Sequence, residues 1–221
     1  MDILQGALNL LYLSQKRINA STAKRGYSEE QWVASYIGNS FHINEDRKSK
    51  VDLTNGSIGI QVKKSKVGQF QQISRGTVDN LVVTLPELKC ITNLLKERCE
   101  HKKLFNPEIL EPLNRSKRLL VEHALYGHGE MKPDILCITE WDKKDAKRTN
   151  VMFVAMKDVV ESLMRYDFAI RKSRTVVELG PSFTIQRKGG DGGRKSADDV
   201  QFKIVPSLLD VKYPVIIPQE H

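Results

Sequence analysis

The stretch Val51-Asp52-Leu53-Thr54-Asn55-Gly56-Ser57-Ile58-Gly59-Ile60-Gln61-Val62-Lys63-Lys64-Ser65-Lys66 leaves a folding chain few choices. Asn55-Gly56 is a strong turn signal, because both residues tolerate positive φ. Beyond the turn, Ile58, Ile60 and Val62 alternate with Gly59, Gln61 and Lys63. A period of two marks a strand with Gln61 and Lys63 on one face and the apolar set on the other. The pattern predicts a β-hairpin that folds Asp52 back beside Gln61 and Lys63.

An acid, an amide oxygen and a lysine at one sheet end suit metal-assisted phosphodiester hydrolysis. Mg²⁺ is a hard cation that takes oxygen ligands, usually one or two carboxylates plus waters and phosphate oxygens. Asp52 supplies the carboxylate, and Gln61 a side-chain carbonyl or a hold on water. Lys63 can orient or help deprotonate an attacking water and balance charge on the phosphorus. The string Asp-x8-Gln-x-Lys resembles the PD-(D/E)XK nuclease motif, with Gln in place of the second carboxylate. That exchange removes one negative charge from the metal site. The residues alone are equally compatible with an exposed basic hairpin whose Lys63, Lys64 and Lys66 are solvated.

The 221 residues, 40% of them hydrophobic, suffice for a sizeable core. A net charge of +8 favours a polyanionic partner. No run reaches the ~18 apolar residues of a membrane span, and the start does not read as a secretory signal. Cys90, Cys99 and Cys137 have no CxxC spacing, so reduced thiols and a cytoplasmic location are expected. The five histidines are too scattered for a zinc site; His123 and His128 read as solvent or phosphate contacts.

Along the chain, helices are expected over about Leu4 to Ile18, from Ser28 to Gly38, over Pro86 to His101, over Pro107 to Tyr126 and over Asp158 to Phe168. Strands are expected at Leu81–Leu85, Asp134–Thr139, Val151–Met156, Arg174–Leu179, Ser182–Arg187 and Val200–Val205, with loop or short helix over Gly76 to Asn80. Interleaving without regular βαβ repetition predicts an α/β fold with a mixed central β-sheet flanked by helices.

Pro133-Asp134 followed by Asp142-Lys143-Lys144 also matches the nuclease string literally. It ranks below the hairpin, because Trp141 to Arg148 is a polar run without alternation, the mark of a solvated turn. This chemistry needs a rigid strand to hold acid and lysine on one phosphate. Pro133-Asp134 reads as a strand start.

With Gln61-Val62-Lys63 on a strand, the order of segments resembles type II restriction endonucleases of the PD-(D/E)XK superfamily, most of all the MspI type. The resemblance runs from about Tyr27 to Lys203. It is carried by Lys63-Lys64-Ser65-Lys66-Val67, Lys103-Leu104-Phe105-Asn106-Pro107, the helix to Tyr126, Lys132-Pro133-Asp134-Ile135-Leu136, and a Gly-, Ser- and Lys-rich loop leading to Gln201-Phe202-Lys203. The MspI type also has an amide at the position of Gln61. The superfamily's helix carboxylate corresponds to Glu30, with Glu29 as the alternative; both also simply suit a helix N-terminus.

Four glycines among residues 189–193 give a loop that can follow a groove, flanked by Gln186, Arg187, Lys188 and Arg194. Arg and Lys pair with guanine edges and Gln with adenine or guanine edges, although a flexible hairpin tip would look the same. The resemblance places Gln201 and Lys203 among base contacts in the major groove, and Gln186 and Arg187 near another. Ser65 to Gln72, with Gln69, Gln71 and Gln72, is a second candidate reading loop, and Lys64, Ser65, Lys66 and Gln69 are expected to bind DNA.

The resemblance implies one endonuclease domain over residues 1–221, with a catalytic hairpin at about 50–66 and a DNA-reading segment at about 183–205. It implies Mg²⁺ as cofactor and double-stranded DNA as partner, with cleavage at a short palindrome leaving 5′-phosphate ends. A monomer or homodimer is compatible with it, and a methyltransferase would protect the same site. A repair or junction-resolving nuclease and a catalytically silent DNA-binding module are the alternatives.

Overall fold

The computed structural model describes residues 29–37, 40–46, 49–66, 71–77, 89, 91, 94, 104–142, 148–188, 199–205, 208–211 and 215–216. The helix expected over Leu4 to Ile18 and the strand expected at Leu81–Leu85 lie outside them. Of the stretch Pro86 to His101, Lys89, Ile91 and Leu94 are described, and all three are helical. The chain forms two compact units. One holds residues 1–69, 126–159 and 210–221; the other holds residues 70–125 and 160–209.

The first unit is built on a mixed sheet of six strands. They are β1 (His42–Ile43), β2 (Leu53–Thr54), β3 (Gly59–Lys66), β5 (Ile135–Trp141), β6 (Arg148–Ala155) and β11 (Val215–Ile216), adjacent in that order. Neighbours run antiparallel except β3 and β5, which are parallel and set Gln61 opposite Leu136 and Lys63 opposite Ile138. Helix α1 (Glu29–Ile37) has Glu29 and Glu30 in its first turn, where carboxylates suit the helix dipole. Its apolar stripe of Trp32, Val33, Tyr36 and Ile37 clusters with Leu53, Ile60, Val62, Ile135, Cys137, Val151 and Phe153. Leu136, Ile138, Met152 and Val154, which alternate with that set, are buried too. The middle of this sheet is therefore covered on both faces, as continuous apolar runs such as Ile135 to Ile138 require.

The second unit is built on an antiparallel sheet in the order β4 (Gln71–Thr77), β10 (Asp199–Ile204), β9 (Phe183–Lys188), β8 (Val176–Leu179), β7 (Phe168–Ile170). Phe105, Ile109, Leu113, Leu120, Val177, Ile185 and Phe202 are buried in it. The Asn106-Pro107 start behaves as expected, with the Asn106 side-chain oxygen accepting the Glu108 N–H at 3.2 Å. The helix expected from Pro107 to Tyr126 comes in pieces: a 3₁₀ turn at Pro107–Ile109, α2 (Leu110–Arg115) and α3 (Lys117–Tyr126). Pro112 has no N–H to give the Glu108 carbonyl, so an α ladder cannot run through from Pro107. Helix α4 (Met156–Met164) starts two residues earlier than its sequence signals and ends sooner, because Phe168 belongs to β7.

Two further corrections concern β4. Gly76 and Thr77, expected in a loop or short helix, are strand residues. Ser65, Lys66, Gln71 and Gln72, expected in one reading loop, belong to β3 and β4. The polar string Gln71-Gln72-Ile73-Ser74-Arg75-Gly76-Thr77 has little strand character of its own. Pairing along its length with β10 makes it one.

Candidate active site

The hairpin forms where its turn residues place it. Gly56 has φ 89°. The Asn55 side-chain oxygen accepts the N–H groups of Ser57 at 3.0 Å and Ile58 at 2.8 Å, and the Thr54 hydroxyl accepts that of Gly56 at 2.9 Å. Thr54 then pairs with Gly59 and Leu53 with Ile60. At Asp52 the ladder gives way to a side chain. The Asp52 N–H donates to the Ile60 carbonyl at 2.8 Å, and the Asp52 carboxylate accepts the Val62 N–H at 2.6 Å. These two bonds bracket Gln61, so the acid is pinned beside the amide by backbone.

The strand face predicted to carry Gln61 and Lys63 does so, with Ile60 and Val62 in the core cluster on the other side. Lys63 Nζ donates to the Val62 carbonyl at 3.0 Å and lies 3.5 Å from Asp52 Oδ2. Burial raises the Asp52 pKa above the usual carboxylate value. The Lys63 charge and the Val62 N–H oppose that rise, and the charge of Glu30 adds to it. Gln61 is 1% exposed, and its side-chain oxygen is buried without accepting a hydrogen bond. A buried acceptor left without a donor costs ~1–3 kcal/mol, and this oxygen is open to a donor or a cation beside Asp52.

Of the two helix acids, Glu30 is the one whose charge acts on Asp52. Glu29 lies 3.9 Å from Lys64 Nζ. Lys64 also sits over the Trp141 ring, 3.7 Å from its centre. Lys63 and Lys64 thus go to opposite faces of β3, the first to Asp52 and the second to an aromatic and an acid. Ser65 is buried and donates to the Lys66 carbonyl at 3.1 Å, and Lys66 is exposed. Behind the strand, burial pushes the Cys137 thiol pKa well up, helped by the charges of Glu29 and Asp52. Such a thiol is inert.

Lys50 is a neighbour of this site that the sequence reading missed. Burial, then the Lys63 charge, lower its pKa to about 8 against the pull of Asp52. The signal was present: Lys50-Val51-Asp52 alternates, as Gln61-Val62-Lys63 does. Without a recognisable strand ahead of Leu53, that alternation was too short to read.

The competing string resolves differently. Asp134 Oδ2 accepts the Gly59 N–H at 2.9 Å, and the Asp134 N–H donates to the Gly59 carbonyl at 2.8 Å. This acid joins the start of β5 to the start of β3. Lys143 and Lys144 lie outside the described residues, as do Gln69 and Arg194.

In the second unit, Gln201 stands opposite Gln186 across β10 and β9, and opposite Arg75 on β4. Lys203 Nζ donates to the Gln186 side-chain oxygen at 2.8 Å. Gln201 is 4% exposed and Lys203 is half-buried. Phe202, between them, is buried against Phe183 with ring centres 6.2 Å apart. Arg187 and Lys188 occupy the last positions of β9.

The donors in the first unit fit a hard divalent cation: one carboxylate, and one buried amide oxygen with no other partner. Among the described residues, no group of three or more His, Cys, Asp or Glu comes together. A cation here would depend on the amide of Gln61. No curated protein matches the chain. The sequence model of the family described as the R.HinP1I restriction endonuclease matches residues 89–210, just over half of the 221 residues. The matched span includes β5 to β10, and the hairpin of Asp52, Gln61 and Lys63 precedes it. On that match, and with an α/β fold around a mixed sheet, the chain belongs to the R.HinP1I restriction endonuclease family.

Proposed function

We propose that the chain is a Mg²⁺-dependent type II endonuclease of the PD-(D/E)XK superfamily, close to the MspI type, that cuts both strands of a short palindromic DNA site. The observation that carries this reading is the buried, unpartnered oxygen of Gln61 beside Asp52, with Lys63 Nζ 3.5 Å from the same carboxylate. Asp52 and Gln61 hold the cation, and Glu30 stands behind Asp52 as a further source of negative charge. When bound, Mg²⁺ polarises the phosphate as a Lewis acid.

The chain's own groups do the rest. Lys63, anchored on the Val62 carbonyl, orients a water in line with the scissile bond and balances charge on the phosphorus. The water oxygen forms a bond to phosphorus and gives a proton to solvent, the P–O3′ bond breaks, and the departing O3′ takes a proton from a solvent water. The products carry 5′-phosphate and 3′-hydroxyl ends. The sheet face around Gln61 is shared with buried Leu136 and Val154, which exclude water and strengthen every charge interaction there.

Sequence reading is the task of the second unit. Gln186, Arg187, Gln201 and Lys203 face base edges, while Arg194 holds the phosphate backbone and Lys188 flanks it. Lys64, Ser65, Lys66 and Gln69 follow the catalytic strand along the DNA. The net charge of +8 supports a polyanionic partner. Both units serve one endonuclease that works in the cytoplasm, as a monomer or homodimer, beside a methyltransferase that marks the same site. Among the described residues, no helix is long and apolar enough to cross a membrane.

Digestion of a sequenced plasmid with Mg²⁺, followed by sequencing of the ends, tests this reading. Discrete bands with one end sequence are expected. Nicking alone, or preference for branched DNA, would replace it with a repair or junction-resolving nuclease. Salt-sensitive binding without any cleavage would leave a DNA-binding module.

A further inference from the structure

The turn that joins β7 to β8 reads Arg171-Lys172-Ser173-Arg174-Thr175, with three cations and no acid. It is held from inside and outside. The Arg171 N–H donates to the Val176 carbonyl at 3.0 Å, and the Arg174 N–H donates to the Arg171 carbonyl at 2.7 Å. The Phe105 N–H donates to the Arg174 carbonyl at 2.6 Å, and Arg174 Nε donates to the Phe105 carbonyl at 3.1 Å. Arg174 has φ 58° and is, among the described residues, the only one besides glycines with positive φ. A side chain makes that conformation costly, so the bonds to buried Phe105 hold the turn in a shape it would not keep alone.

The charges of this turn differ from those elsewhere in the second unit. Arg115 is paired with Glu111, Lys117 with Asp167, Arg118 with Glu122 and Glu161, and Arg171 with Glu178. Lys172 and Arg174 are exposed, and neither has an acid partner among the described residues. The register fixes where they stand. Strands β7 to β10 run antiparallel in turn, so the β7–β8 turn lies at the edge of the sheet where β9 ends and β10 begins. Gln186 pairs with both Val176 and Gln201, so the glutamine pair starts directly inside that edge. Two fixed, unneutralised cations repel each other and gain most from a ligand with closely spaced negative charges, as a duplex backbone has. We propose that the turn 171–175 is a phosphate anchor for duplex DNA. Lys172 and Arg174 take backbone phosphates beside the bases that Gln186, Gln201 and Lys203 read, and so set the position of the sheet along the groove. The inference rests on the DNA-reading role of the second unit.

The test measures affinity for a cognate and a random duplex in Ca²⁺ over a series of salt concentrations. Lys172→Ala should weaken both duplexes by the same factor and make the salt dependence shallower, its log–log slope falling in magnitude by about 1. Adding Arg174→Gly should take away about as much again. Glycine suits φ 58°, so Arg174→Gly should melt close to wild type. Should it unfold instead, Lys172→Ala and Lys172→Arg decide the matter alone, the second keeping the slope. Arg115→Gln removes an ion-paired cation from α2 and should leave the slope as it is. An unchanged slope in Lys172→Ala, or the same flattening in Arg115→Gln, would overturn the anchor. Loss confined to the cognate duplex would make the turn a base reader and overturn it too. A wild-type protein that binds neither duplex would overturn the DNA-reading role of the second unit, and this inference with it.

Discussion

On the six-stranded sheet, Gln61 carries a buried oxygen that accepts nothing, and beside it burial holds the Asp52 pKa high and the Lys50 pKa low. On the five-stranded sheet, Lys203 gives its amine to Gln186 at 2.8 Å, next to an opposed pair of glutamines. The first arrangement leaves the Gln61 oxygen without a hydrogen bond; the second lets polar groups bind one another, with the buried Thr184 hydroxyl as an exception. Unmet demand costs stability and provides chemistry, because whatever satisfies it binds more strongly for having been missing. Met demand costs less and provides shape. A pair such as Lys203 and Gln186 can be exchanged for a partner with the same donor pattern, which is what reading a base edge requires.

The largest effect should come from Lys63→Ala, which removes the amine beside Asp52. Plasmid cleavage should disappear while site-specific binding in Ca²⁺ persists. If both were lost together, the six-stranded sheet would be reading as well as cutting, and the contrast would fail.

Asp52→Asn should also lose cleavage, with an unusual sign for stability. Folding raises this pKa, so the folded chain holds that proton to a higher pH than the unfolded chain does. Stability from this group is then fully present below the unfolded pKa and is lost as pH rises through the folded one. In chelator, Asp52→Asn should melt no lower than wild type near neutral pH, and its advantage should shrink as pH falls. A clear loss of melting temperature at neutral pH would mean that the carboxylate is a structural anchor for Val62.

Lys203→Ala should act on a smaller scale and on a different quantity. Loss of a base contact costs ~1–3 kcal/mol and falls mainly on cognate DNA. Filter binding of cognate and random duplexes at two salt concentrations in Ca²⁺ separates this from a phosphate contact, which would weaken both and flatten the salt dependence. Gln201 is more deeply buried than Lys203, so Gln201→Ala should lower the melting temperature as well as cognate affinity. The smallest effect should be that of Lys144→Ala, in the competing string. Cleavage rates within twofold of wild type are expected, and a dead variant would move the active site to that string.

The hairpin of Asp52, Gln61 and Lys63 was legible because its information is local. Asn55-Gly56 sets the turn, period two sets the faces, and the acid lies close enough in sequence to be folded back onto them. Helix α1 was legible for the same reason, its acidic first turn and apolar stripe lying within one short segment. The second sheet was legible in part: the strands expected at Arg174–Leu179, Ser182–Arg187 and Val200–Val205 correspond to β8, β9 and β10, while β4 and β7 were missed. Gln71 to Thr77 become a strand through β10, far away in sequence, and Phe168 to Ile170 become one against the next strand, β8; nothing in the composition of either announces it. Lys50 escaped because it sits ahead of a strand only two residues long. Which helix acid stands nearer Asp52 was beyond pattern alone, since Glu29 and Glu30 both suit a helix start, and only the folded chain gives Lys64 to the first.

The parallel join of β3 to β5 has a consequence for synthesis. Gln61 and Lys63 leave the ribosome long before Ile135 to Trp141, the strand that pairs with theirs and that Asp134 fastens to Gly59. Residues 70–125, which build the other unit, are translated in between. Until the later strand arrives, Asp52, Gln61 and Lys63 belong to a hairpin with no parallel neighbour. A chain broken between Lys66 and Ile135 would carry Asp52, Gln61 and Lys63 and lack the strand that pairs with theirs, so an unfinished copy would hold these groups without the sheet that fixes them in place.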